Sequence, residues 1–168
     1  LFDAGETGAS RLEGFTISGG RGSPPVYCWF GVEQMPSCFA PEVPGAGGGI
    51  HCNGASPILS DCIIEGNAGS GIHCERASPT IAGCTIARNS GPGVYARNSS
   101  PALWDCVIGE NGDGGAYCME FPFPETGSVR SALRLDRCTV AGNLSRRVEA
   151  LYAWDTALVI DSCIVWDN

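Results

Sequence analysis

The chain contains no lysine. All ten of its basic residues are arginine, set against 18 acidic ones, and a formal charge of −8 argues against a phosphate-tracking nucleic-acid surface or an anionic membrane surface. No apolar run approaches the ~18–20 residues that a bilayer-crossing helix needs, so no membrane insertion is expected. Residues 1–20 also lack a basic stretch followed by an apolar one, which places any export signal outside this sequence. What the chain holds in excess is glycine (24), proline (11) and cysteine (10). Ten cysteines in 168 residues point to an oxidising compartment, hence to a secreted or cell-surface location.

Self-similarity appears at a period of 22 residues. Gly71-Ile72-His73-Cys74, Ser78-Pro79, Ile81, Cys84, Ile86 and Asn89 repeat upstream as Gly49-Ile50-His51-Cys52, Ser56-Pro57, Leu59, Cys62, Ile64 and Asn67. They repeat downstream as Gly93-Val94-Tyr95-Ala96, Ser100-Pro101, Leu103, Cys106, Ile108 and Asn111. Looser copies close on Leu135, Cys138, Val140 and Asn143, and on Ile160, Cys163, Val165 and Asn168, while Leu12, Phe15 and Ile17 match a closing half. Within each copy the apolar residues alternate, so Ile72 and Cys74 share one face and His73 takes the other, which is strand periodicity. Gly, Ser-Pro and Asn at fixed offsets supply the bends. One 22-residue copy per turn stacks equivalent positions about 4.8 Å apart, so Asn67, Asn89, Asn111, Asn143 and Asn168 fall in one ladder of side-chain amides. The expected fold is all-β: a right-handed parallel β-helix of five to six coils, forming a single domain over 1–168.

The residues Gly14-Phe15-Thr16-Ile17-Ser18-Gly19-Gly20, then Gly47-Gly48-Gly49-Ile50-His51-Cys52 and the copies that follow, resemble the pectin lyase-like right-handed β-helix superfamily, and within it secreted bacterial repeat proteins. The resemblance covers about 12–20 and 47–168. It implies the fold; for activity it spans polysaccharide lyases, glycosidases, adhesins and many repeat arrays of unknown role. Two insertions break the period, at 21–46 and 119–131, and carry the aromatics Trp29, Phe30, Phe121 and Phe123. They are expected to bulge as loops that either bind a ligand or fold back over the coil. The first and last copies have no amphipathic cap, so the chain reads as part of a longer array, with further coils or a partner covering its ends.

Cys62, Cys84, Cys106, Cys138 and Cys163 form one inward column, and Cys52, Cys74 and Cys118 another, with Ala96 and Ala153 in the remaining places. A metal site shared with His51 and His73 is excluded, because alternation turns those rings away from Cys52 and Cys74. A shared ten-residue offset suggests pairing of Cys52 with Cys62 and of Cys74 with Cys84, yet Cys106 and Cys163 keep their column where that partner is alanine, so these pairings stay open. Cys28–Cys38, at the same offset within an insertion, is the expected disulfide.

The outward residue of the first strand runs His51, His73, Tyr95, Tyr117, Tyr152. Such a ladder of rings suits the apolar faces of sugars; it also suits cross-strand stacking on an exposed sheet. No metal is expected there, since two histidines without a nearby third carboxylate make a weak site. A second outward column reads Thr16, Ile63, Thr85, Val107, Thr139, Ile164 and is β-branched, as strands favour. For catalysis, the one acid and base cluster is Asp61 and Asp105 in a single column, two coils and about 9–10 Å apart, with Asp136 and Arg137 beyond them. The resemblance implies that a lyase of this kind would use calcium-binding acids with a basic residue; no other cofactor is expected. The reading is a secreted or surface β-helix module that binds a polysaccharide or a cell-surface protein without catalysis. Its alternatives are a fragment of a polysaccharide lyase or glycoside hydrolase, and a structural spacer.

Overall fold

A computed structural model describes residues 2–3, 10–21, 27–29, 37–39, 48–120, 131–144 and 150–168, with 2–3, 27–29 and 37–39 described as backbone only. Three parallel sheets of six strands each build six coils. The third coil shows the plan: Ile72–Glu75 lies in the first sheet, Thr80–Ala82 in the second and Thr85–Ala87 in the third. Its strands pair in register with residues 22 before and 22 after, as in Ile50↔Ile72 and Val94↔Ile72. Each coil thus has three strands: the repeated run of Leu59, Cys62 and Ile64 and its equivalents spans two of them, with the cysteine at the bend between. Phe2–Asp3 supplies the first coil's first-sheet strand, opposite Cys52 and Asn53.

The bends explain several of the repeated residue types. The corner between second and third strands closes on a left-handed residue in successive coils: Asp61 (φ 52°), Gly83 (61°), Asp105 (53°), Arg137 (51°) and Ser162 (52°). No β-branched residue stands there, because that conformation crowds Cβ. Serine before proline forms its own ladder, in which the Ser56 hydroxyl accepts the Ser78 N–H at 2.9 Å and the Ser78 hydroxyl that of Ser100 at 3.2 Å. The repeated asparagines Asn67 and Asn89 do not take the left-handed position; the residue before each does, Gly66 and Arg88. The amides instead run through the interior. Asn89 Nδ2 donates to Asn111 Oδ1 at 3.0 Å and to the Ile64 carbonyl at 3.1 Å, and Asn89 Oδ1 accepts from the N–H and the Nδ2 of Asn67. Beside this ladder only glycine fits, since a Cβ on Gly71 would stand 2.6 Å from Ile86 Cγ2 and 2.7 Å from the Gly93 carbonyl.

The interior is a continuous apolar column that includes Leu59, Ile64, Ile72, Ile81, Ile86, Leu103 and Ile108, all fully buried. The first insertion leaves the coil between its third and first sheets and contains an antiparallel pair, Tyr27–Trp29 with Ser37–Phe39. The second leaves from the first-sheet strand Ala116–Met119, which includes Met119, and the chain re-enters at Ala132–Asp136. No helix among the described residues is long and apolar enough to cross a membrane.

Candidate functional site

The first sheet brings His51, His73, Tyr95, Tyr117 and Tyr152 into one column, as their spacing predicts. Its openness differs from expectation. His73, Tyr95 and Tyr117 are only 1%, 4% and 6% exposed, and His51 and Tyr152 are half-buried, so the ladder is no free platform for sugar rings. The rings engage one another instead: His73 lies 4.9 Å from His51, edge to face, and 4.9 Å from Tyr95, while Tyr117 meets Tyr152 at 5.8 Å. Of the loop aromatics, Phe30, Phe121 and Phe123 lie outside the described residues, as does the Trp29 side chain.

Two residues along each strand, the same outward face carries Asn53, Glu75, Arg97 and Met119 in register. Here the structure brings together what the sequence reading kept apart. Donor atoms of His51, His73 and Glu75 all lie within 4.8 Å of one another. The third carboxylate therefore exists, and the period-two rule pointed to it: a residue two beyond His73 must share its face. Glu75 pairs with Arg97, and Arg76 Nη2 lies 3.9 Å away; both contacts fall on Glu75 Oε1. The His73 pKa is pulled down to about 4, chiefly by burial, with His51 and Arg97 acting in the same direction and Glu75 opposing them.

The acidic column assembles only in part. Arg137 holds both oxygens of Asp105, at 2.7 and 2.8 Å, and reaches Asp136 at 3.4 Å. This bidentate pair lowers the Asp105 pKa and raises that of Arg137, and it is fully exposed, where such pairs contribute little to stability. Asp61 stands two coils away, its carboxylate over Gly83, where an added Cβ would collide with it. All four residues sit at or beside the left-handed corner, a structural reason for short polar side chains such as Asp61 and Asp105 there, although Arg137 takes the same conformation.

The sequence pattern described as a right handed beta helix region matches residues 42–143, more than half of the chain. The chain belongs to the right-handed β-helix family. Among solved structures, the crystal structure of the periplasmic alginate epimerase AlgG is similar at 18% identity and a TM-score of 0.49, covering 66% of this chain and 30% of that one. The present chain spans less than a third of that protein's length. Comparison with curated proteins gave no match.

In this β-helix the two cysteine columns are core, not a disulfide framework. Cys52, Cys62, Cys74, Cys84, Cys106, Cys118, Cys138 and Cys163 are free thiols, so the pairings suggested by the ten-residue offset do not form: Cys52 sits on the first sheet and Cys62 at a different corner. The corner thiols are anchored by main-chain carbonyls; Cys106 Sγ donates to Trp104 O at 3.1 Å and to Ile81 O, one coil back, at 3.5 Å. A bond from Cys52, then burial, pushes the Cys74 thiol well up, and burial pushes Cys118 up to about 11. Hydrogen bonds with Cys106 pull the Cys84 and Cys138 thiols down, but each is only 1% exposed, and access governs reactivity as much as ionisation does. A thiol-titrating reagent is therefore expected to find the half-buried Cys163 in the native chain and none of the other seven. Cys28 and Cys38 are direct register partners in the antiparallel pair, the geometry a bridge needs. Unfolding without reductant should then release eight of the ten thiols, with the last two appearing only after reduction. Ten thiols at the first step would remove the bridge.

Proposed function

We propose that this chain is a non-catalytic recognition module, secreted or displayed at a cell surface, that presents the outer face of its third sheet to a polysaccharide or protein partner. The observation that carries this reading is an exposed β-branched column on a rigid sheet: Thr16, Ile63, Thr85, Val107 and Thr139 lie in register, and Ile63 and Val107 are 42% and 46% exposed. Ala87, Gly109 and Ala141 beside the middle of this column are small, with Glu65 and Trp166 in the same register on either side of them. Ordered apolar surface of this kind marks interaction sites on soluble proteins. The buried ring ladder then acts as cross-strand packing that stiffens the sheet opposite. Free thiols take away the cysteine count as support for an oxidising compartment, so the proposed location rests on the resemblance to secreted repeat proteins.

Catalysis is the second reading, favoured by the Asp105–Arg137–Asp136 contact. A glycan array with product analysis, run with and without calcium, separates the two. Binding without cleavage, weakened tenfold or more in Val107→Arg and unchanged in Asp105→Asn, is the expected result. Cleavage abolished by Asp105→Asn would establish the enzyme reading, and binding indifferent to Val107→Arg would remove the third sheet from the account. Silence in both arms would leave a spacer.

A further inference from the structure

We infer that His51, His73 and Glu75 form a binding site for one divalent transition-metal ion of the zinc class. The proposal is independent of the third-sheet partner face. Its first support is the pair of orphan nitrogens. His51 Nε2 and His73 Nδ1 are both buried without a hydrogen-bond partner, and His73 as a whole is 1% exposed. Buried polar atoms are paired in almost all folded proteins, and a single ion would satisfy both of these. The second support is the arrangement of donors. The three groups stand within 4.8 Å of one another on two adjacent coils. With metal–ligand bonds of about 2.0–2.2 Å, tetrahedral donors are roughly 3.3–3.5 Å apart, a closure within reach of small side-chain rotations.

Glu75 is prepared for this role. Arg97 and Arg76 both meet Oε1, which leaves Oε2 to serve as the ligand while Arg97 holds the carboxylate, the way outer partners orient ligands. The repeat confines the site to one place. The two outward columns read His51 and Asn53, then His73 and Glu75, then Tyr95 and Arg97, so imidazoles occur on two neighbouring coils and the acid on one of them. Two imidazoles and one carboxylate select a borderline ion over calcium, which prefers an all-oxygen shell. The interior thiols of Cys52 and Cys74, on the opposite face of the same strands, take no part.

Cobalt(II) is the probe that tests this, because a thiolate ligand gives an intense near-ultraviolet charge-transfer band and an imidazole–carboxylate shell does not. The EDTA-stripped chain should bind one equivalent of cobalt(II), showing visible d–d bands without the thiolate band, and zinc should displace it. Glu75→Gln and His51→Gln, at half-buried positions, should each weaken binding tenfold or more while the circular dichroism spectrum stays native. The fully buried His73 is left intact in these tests so that loss of fold does not mimic loss of site. A thiolate band, affinity unchanged in both variants, or no binding by the folded wild-type chain would overturn the assignment.

Discussion

Replacing Asn89 by alanine is expected to destabilise the chain by about 3–6 kcal/mol, the largest effect of any single substitution considered for this fold. Asn89 is 1% exposed, and its amide serves three neighbours at once: it accepts from the Asn67 N–H at 3.1 Å and the Asn67 Nδ2 at 2.8 Å, and donates to Asn111 and Ile64. Alanine strands the Asn67 N–H and takes a donor from the Ile64 carbonyl where water has no room, although Asn67 Nδ2 keeps the Ile17 carbonyl and Asn111 Oδ1 keeps the Asn89 N–H; each buried orphan costs about 1–3 kcal/mol and the emptied volume adds to it. A coil touches only its neighbours, so the loss falls on the junctions that transmit order along the array. The terminal rung provides the control. Asn168 accepts from the Asn143 N–H and Nδ2, but it is itself exposed and water can reach its bonds to the Val140 and Trp166 carbonyls, so Asn168→Ala should cost clearly less than Asn89→Ala. Urea unfolding followed by circular dichroism measures both. Equal, small losses at the two positions would mean that the ladder is ornamental and that apolar packing alone sets the register.

That ladder is also where sequence and structure agree most closely. A period of 22 brings equivalent residues into contact once a strand-forming chain coils, and asparagine at one offset in five copies could only meet itself. Glycine at 49, 71, 93 and 115 was equally legible as punctuation, although the reason for it, an Ile or Val methyl and a main-chain oxygen within 3 Å of the absent Cβ, needs three dimensions. The candidate sites were read less well. Alternation correctly put His73 and Cys74 on opposite faces, but facing outward did not mean being exposed, because periodicity carries no information about what covers a sheet. The same rule, carried two residues further, would have delivered Glu75 to the histidines. Cysteine misled in the other direction. Its count suggested a disulfide framework, whereas the columns select a small side chain that packs and also donates weakly to a carbonyl at each corner, as Cys106 does.

Acidification should act on this fold through His73, and the sign follows from its depressed pKa. In the unfolded chain the imidazole takes up a proton near pH 6.5, while in the folded chain it resists until about pH 4. Between those values the unfolded state holds more protons, so stability is full above about pH 6.5 and is lost as the pH falls towards 4, below which both states are protonated and the loss levels off. A shift of this size corresponds to about 3 kcal/mol between pH 7 and pH 4, at 1.4 kcal/mol per unit. The groups that face the ring set the balance: His51 and Arg97 oppose a charge on it, Glu75 favours one, and burial outweighs all three. Protonation in the fold would leave an imidazolium 4.9 Å from each neighbouring ring in a site closed to water. Urea titrations of the wild-type chain and of His73→Gln, both in EDTA, isolate the effect, because carboxylates elsewhere contribute equally to the two. The wild type should lose about 3 kcal/mol more than the variant across that range. Parallel losses would mean that the imidazole takes up its proton at the same pH in the fold as in the unfolded chain, so that burial does not exclude its charge.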